Sequence, residues 1–221
     1  MKKTITTKNL VILGLLIAIV LLMSMTPLGT LPIGPLSITL NMIPVAIAAI
    51  AVGPVGGLIV GGVFGLYSFL QSMGIGVPSG MGILTFSISP FLTFVQRFVS
   101  RALTGFILGY VYKLFKKIIG SNIAMFVTGA CAALLNFVFF MGLLWACFGN
   151  APAFEDFLHN TIGKATMQIY IAGTFLSNTI FEVIITTALV GIIGVALKKA
   201  KLITVDAADK KVDKADSEKQ A

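Results

Sequence analysis

Charge is scarce in this chain. Only 11% of its 221 residues are charged while 57% are hydrophobic, where soluble domains carry about 25% charged residues. So few charges cannot cover a water-exposed surface, and the apolar runs reach about 20 residues, the length that crosses a bilayer. The composition describes a polytopic membrane protein.

Other absences narrow the function. There is one histidine and there are two cysteines, so no metal site is expected. Cys131 and Cys147 fall in one apparent helix, about 24 Å apart along its axis, too far for a disulfide. His159 sits in an outer polar loop with Glu155 and Asp156 and reads as solvent-exposed. No HExxH, no GxSxG and no paired intramembrane aspartates occur. The run GPVGGLIVGGVFG lacks the GK[ST] ending of a P-loop and lies in an apolar helix, so its glycines serve packing. An enzyme is not expected, nor a cofactor. No pore ring, filter or internal repeat suggests a channel or a repeat-built carrier. The net charge of +8 comes from lysines at the ends of apolar runs. That pattern sets membrane topology rather than binding nucleic acid.

The apolar runs predict an all-α bundle of six transmembrane helices. They cover about Leu10–Met25, Ser37–Val52, Val55–Ser72, Pro90–Phe115, Ser121–Phe148 and Thr166–Leu197. The second is short for a span. TPLGTLPIGPL forms a Pro/Gly-rich loop after the first helix, and MGIGVPSGMG leads from the third towards Pro90. The N-terminus mimics a signal peptide, but no small-x-small cleavage site follows, so the first helix is expected to be retained. Lys2, Lys3, Lys8, Lys113, Lys116, Lys117, Lys198, Lys199 and Lys201 then share one face, which places both termini in the cytoplasm. Residues 1–203 form the membrane domain, and 204–221 a charged tail expected to be disordered.

Within the helices, polar residues fall on stripes. Thr93, Arg97, Ser100, Arg101 and Thr104 share one face of the fourth helix, with Gln96 beside it. Tyr170, Thr174, Asn178, Glu182 and Thr186 recur every four residues in the sixth. Such faces point into the bundle, because a charge facing lipid costs at least about 2.5–3.5 kcal/mol. Glu182 is the one acid of the apolar core. Depth estimates put Arg101, about 16 Å below Pro90, nearer to it than Arg97 at about 10 Å. Two readings stay open for Arg101 and Glu182: a structural ion pair, or a protonated or coupling role for the acid. Arg97 has no remaining buried acid. It could take an anionic ligand, ideally a carboxylate, or backbone carbonyls, or snorkel. Asn136, Asn178, Tyr67 and Gln71 offer neutral hydrogen bonds, to a ligand or between helices. Gly57, Gly61 and Gly65 form a small-xxx-small ridge.

The stretches TPLGTLPIGPLSITLNMIPVAIAAIAVGPVGGLIVGGVFGLYSFLQ and SPFLTFVQRFVSRALTGFILGYVYK resemble the substrate-binding S-components of energy-coupling factor (ECF) vitamin transporters, nearest to their pantothenate type. The resemblance spans about residues 8–197. It implies a six-helix subunit of the bacterial cell membrane that joins a transmembrane T-subunit and two cytosolic ATPases. The family meets its T-subunit through an AxxxA motif in the first helix. Here the match is Gly14-xxx-Ala18, a departure at its first position. The resemblance also implies a gating loop carrying Pro27, Gly29, Pro32 and Pro35. Pantothenate, a monocarboxylate with an amide, two hydroxyls and a gem-dimethyl group, fits the residues. Arg97 would take the carboxylate, Asn136, Gln71 and Asn178 the amide and hydroxyls, and Tyr67 and Phe64 the apolar body. The alternatives are an S-component for a folate or thiamin-precursor type of vitamin, a stand-alone secondary carrier for a small organic anion, or a scaffold that binds no ligand.

Overall fold

The computed structural model describes residues 7–33, 36–77, 79–162 and 167–203. Lys2, Lys3, Pro35, Thr166 and the tail 204–221 lie outside the described residues.

Among the described residues, five helices are long and apolar enough to cross a membrane: Thr7–Met25, Pro54–Ser72, Pro90–Ile119, Ser121–Phe148 and Ile180–Lys199. We call the first α1 and the second α3. The short helix between them, α2 (Met42–Ala51, 10 residues), extends only about 15 Å, half of a hydrocarbon core of about 30 Å. Its residues from Met42 to Ile50 are all buried, and it touches α1, α3 and the later spans alike. An all-apolar helix shielded on every side needs no lipid-facing stripe. It is the post around which the bundle is built.

The expected start of that helix at Ser37 is corrected. Leu36–Thr39 is a strand, β2, paired antiparallel with β1 (Thr30–Ile33) in the register Thr30↔Thr39, Leu31↔Ile38, Pro32↔Ser37 and Ile33↔Leu36. The Pro/Gly-rich stretch is therefore a hairpin. β-branched Ile33, Ile38, Thr30 and Thr39 favour extended backbone, and Pro32 is tolerated because a two-stranded sheet is all edge.

α4 (Gly80–Ile88) follows α3 and is capped by Ser79, whose hydroxyl accepts from Gly82 N at 3.3 Å. The next span begins with α5 (Pro90–Phe94), capped by Ser89 with Pro90 in its first turn. It passes through a π-helical turn, Val95–Val99, into α6 (Ser100–Ile119). α7 (Ser121–Phe148) is uninterrupted. The polar stretch after it is not a loop but a helix, α8 (Pro152–Ile162). Phe154 and Leu158, one turn apart, insert beside Leu144, Phe148 and Tyr170. Glu155, Asp156 and His159 stay on its exposed side. The stretch 167–199 repeats the device of 90–119, the fourth of the helices expected from the sequence: α9 (Met167–Thr174), a π turn Phe175–Thr179, and α10 (Ile180–Lys199).

The lysines gather at one end. Lys8 Nζ donates to the Lys201 carbonyl, Lys198 Nζ to Asn122 Oδ1 at 3.0 Å, and Lys113 lies beside Gly53. The hairpin, α4 and α8 lie at the opposite end.

The glycine ridge fixes how α3 meets the fourth span. A Cβ on Gly57 would overlap the Gly105 carbonyl oxygen, one on Gly61 would stand 2.5 Å from that of Arg101, and one on Gly65 2.8 Å from Phe98 Cα. Backbones in such contact leave no room for side chains between them. The arginines of that span therefore emerge towards the bundle interior.

Candidate ligand-binding site

Both polar stripes face inward. Thr93, Gln96, Arg97, Ser100, Arg101 and Thr104 are buried in the fourth span, and Tyr170, Thr174, Asn178, Glu182 and Thr186 in the last. Their hydroxyls are largely satisfied on their own helices. Thr93 donates to Ser89 O at 2.9 Å, Thr104 to Ser100 O at 2.7 Å, Thr174 to Tyr170 O at 2.8 Å and Thr186 to Glu182 O at 2.7 Å. This i−4 bonding is the usual resolution for such residues in helices. It leaves the larger polar groups as those with capacity to spare.

Those groups are under-satisfied in a telling way. Gln96 Oε1, Arg97 Nε, Arg101 Nε, Asn136 Oδ1 and Glu182 Oε1 are buried without a hydrogen-bond partner. Native interiors hold few such atoms, and each calls for an explanation. Three of these residues, Gln96, Arg97 and Arg101, meet Phe140. The Arg97 and Arg101 guanidinium carbons lie 5.9 and 4.8 Å from its ring centroid, and Gln96 Nε2 donates to its carbonyl at 3.2 Å. Asn136 is one turn from Phe140 on α7, so it shares that face.

Arg97 sits inside the first π turn. It donates through Nη1 to Ser68 Oγ at 2.8 Å and to Ser68 O at 3.3 Å. Its Nη2 lies under the first turn of α4, 2.7 Å from where a Cβ on Gly82 would be. One arm of the guanidinium is thus held, a second is covered, and Nε is open. Arg101 is sandwiched between Phe64, at 4.5 Å from the ring centroid, and Phe140, with Nη1 donating to Arg97 O at 3.2 Å. Cation–π contacts of this kind strengthen where water is excluded.

The expected ion pair of Arg101 with Glu182 is not closed. The two attract each other through space, but Arg101 Nε and Glu182 Oε1 are both unpartnered. β2, which ends at Thr39, packs against α10 and the second π turn near the acid. The aromatic sandwich offers the guanidinium an alternative to the carboxylate.

The structure thus brings Arg97, Arg101, Phe64 and Asn136 together, with Glu182 facing Arg101. Asn178 is buried in the second π turn, on the same polar stripe as Glu182. Gln71 and Tyr67 go elsewhere. Gln71 Nε2 donates to Ser24 O at 3.3 Å, and Asn41 Nδ2 to Ser24 Oγ at 3.0 Å, so these residues fasten the end of α1 at the foot of the hairpin. Gly29 closes the same junction, since a Cβ there would stand 2.7 Å from Asn41 Nδ2. The Tyr67 hydroxyl lies beneath Gly76 in the loop after α3. Ser68, Gly82, Gln96 and Phe140 belong to the site without having been expected in it. Phe140 could have been found as the aromatic one turn beyond Asn136. Nothing in the sequence signals Gly82.

Two π turns, one in each polar-striped span, set the phase of these side chains. π-bulges insert a residue into a helix and recur at functional sites. The first carries Gln96 and Arg97, the second Asn178.

Among known proteins, the family described as "ECF transporter, substrate-specific component" matches residues 8–194. The pantothenate transporter PanT of Leuconostoc mesenteroides subsp. mesenteroides is 32% identical over 200 residues, spanning 85% of this chain and 91% of that protein.

Proposed function

We infer that this chain, which belongs to the family of substrate-specific components of ECF transporters, binds pantothenate and hands it inwards as part of an ATP-driven vitamin uptake complex. The observation that carries this reading is the charge of the site. Two arginines, Arg97 and Arg101, are buried here, and Glu182 near Arg101 is the one buried acid among the described residues, so the cluster has positive charge in excess. A monocarboxylate entering it balances that excess, and guanidinium groups are matched to carboxylates in geometry as well as charge.

The unpartnered atoms fit the same ligand. Arg97 Nε is a donor aimed at nothing, suited to the carboxylate. Asn136 Oδ1 and Gln96 Oε1 are acceptors suited to an amide N–H or a hydroxyl, with Asn178 at hand. Phe64 and Phe140 provide apolar walls for the gem-dimethyl group, and Tyr67 closes the outer side below Gly76. Gln71 acts indirectly, by pinning the hairpin's foot. The PanT relative supports the choice of vitamin, and a cationic thiamin precursor would be repelled by the excess charge.

The six-element bundle stands with the lysine-rich end and both termini in the cytoplasm and the hairpin end outside, in a bacterial cell membrane. The segment between α1 and α2, which carries Pro27, Gly29, Pro32 and Pro35, is the gate. Gly14 and Ala18 lie on the exposed face of α1, where a T-subunit can pack, and two cytosolic ATPases supply the energy that nothing in this chain provides. Calorimetry of the purified chain against a vitamin panel tests the reading. Pantothenate should bind the native chain and fail to bind Arg97→Ala. Tight binding of a different vitamin, or undiminished pantothenate binding by Arg97→Ala, would refute it. Uptake by the isolated chain in proteoliposomes would favour a stand-alone carrier instead.

A further inference from the structure

Gly82 is buried in the first turn of α4, directly over Arg97. A Cβ there would stand 2.7 Å from Arg97 Nη2, 3.1 Å from Arg97 Cζ and 3.1 Å from Ser72 Oγ. Gly80, two residues earlier on the same helix, is exposed, and a Cβ on it would meet nothing within 4 Å. Neither glycine has left-handed backbone. The conformation of α4 therefore does not call for glycine at 82; the space taken by the guanidinium does. The cover is also fixed in place. Phe86 of α4 packs on Phe69 of α3 with ring centroids 5.9 Å apart, and Phe69 meets Phe94 of α5 at 5.3 Å. The Tyr170 hydroxyl donates to Met81 Sδ at 3.7 Å, which ties the same turn to α9. Below the cover, Arg97 Nη1 donates to Ser68 Oγ at 2.8 Å and to Ser68 O at 3.3 Å. The guanidinium is thus held between Ser68 on α3 and the backbone of α4, with its Nε edge open.

We propose that Gly82 determines the specificity of the site: the absence of a side chain there lets α4 lie on the Arg97 guanidinium and hold it in the orientation that selects a carboxylate over a neutral group. This deepens the pantothenate reading above and rests on it. A carboxylate takes two N–H donors of one planar fork, so its affinity depends on how that plane is turned. A neutral hydroxyl needs one donor and tolerates a tilted plane. A methyl group at position 82 would press on the free end of a flexible side chain, so the guanidinium turns and the packed helix stays. Turning it gives up the bond to Ser68 and rotates the fork away from the ligand. Gly82 acts through Arg97 and is a positioning residue, with no contact of its own to the ligand.

Calorimetry of the full-length chain in nanodiscs, with pantothenate and with its alcohol analogue in which CH2OH replaces the carboxylate, reads this selection. The native chain should prefer pantothenate by roughly tenfold to a hundredfold, the range of a charged hydrogen bond. Gly82→Ala should lose pantothenate affinity by that factor and keep affinity for the alcohol within about threefold, so the preference collapses. Gly80→Ala, in the same turn but in open space, should keep the native preference. Alanine favours a helix over glycine, so the melting temperature of Gly82→Ala should not fall. If it does fall, the same substitution made in Arg97→Ala should cost nothing, because no guanidinium is left to meet the methyl group. A cost that persists there would place the clash elsewhere and overturn the proposal. Native preference in Gly82→Ala would overturn it as well, and so would an equal loss of both ligands, the mark of a merely distorted pocket. A native chain that binds no pantothenate, or binds the alcohol as tightly, would instead overturn the reading of Arg97 as the carboxylate's partner, and this proposal with it.

Discussion

Arg97 donates to Ser68 Oγ at 2.8 Å, across the contact between the first π turn and α3, while its Nε has no partner. One hydrogen bond orients the guanidinium, and the unsatisfied edge gives it something to do. Because a charged hydrogen bond contributes about 1.5–3 kcal/mol, Ser68→Ala should weaken pantothenate binding by about tenfold or more. The fold should hold, since only one methyl-sized group is changed. Arg97→Lys should not restore binding lost in Arg97→Ala, because an ammonium cannot reach Ser68 and a carboxylate with the same planar fork. Calorimetry on the three variants checks both statements.

Gly57 and Gly105 meet backbone to backbone, so neither helix can move aside for a side chain without displacing Arg101 and Arg97 further along. Gly57→Leu should abolish folding, read as loss of a monodisperse peak in detergent. The same substitution at Gly14, where a Cβ would meet nothing within 4 Å, should be tolerated.

Arg101 and Glu182 form a separated pair, and the double-mutant cycle should show it. Arg101→Met leaves buried Glu182 without its neighbouring countercharge and should lower the melting temperature, because a buried charge stripped of its partner is costly. Adding Glu182→Gln should recover most of that loss in thermal unfolding, because the stranded charge is then gone. Additive losses would show that the two residues act independently.

Gly14→Leu and Ala18→Leu alter only an exposed face of α1. Both should leave pantothenate affinity within about twofold of native while reducing co-purification with a T-subunit and its ATPases. Loss of ligand binding in either variant would place that face in the pocket rather than at a partner.

Much of the site was legible along the chain because membrane helices simplify the reading. In an apolar helix each polar residue stands out, and its spacing of four gives its face. Hence Arg97, Asn136, Asn178 and Glu182 could be picked out, and the ridge Gly57, Gly61, Gly65 could be read as packing. The partner of Gln71 was not legible, because helical phase gives direction but not the identity of the partner. Ser24, 47 residues away, takes its amide. The Arg101–Glu182 pairing failed for a similar reason. Opposite charges at similar depth suggest a bridge, but the rings of Phe64 and Phe140 enclose the Arg101 guanidinium.

The hairpin shows the opposite limit. Its Pro/Gly content excluded a helix, yet β pairing depends on which residues sit opposite one another, and composition does not carry that register. α8 was missed because a polar surface concealed the spacing of Phe154 and Leu158.

By itself the sequence determined the solvent this protein lives in, the inward faces of its helices and the residues that carry charge there, because hydrophobic burial and the cost of a lipid-exposed charge are local rules. Tertiary structure alone decided which of those charges remain unpaired. PFLTFVQRFVSRALTG supplies two arginines, but their separate tasks follow from Ser68 on α3 and Phe140 on α7. Those are long-range contacts, and only the packed bundle brings them within hydrogen-bonding or cation–π distance.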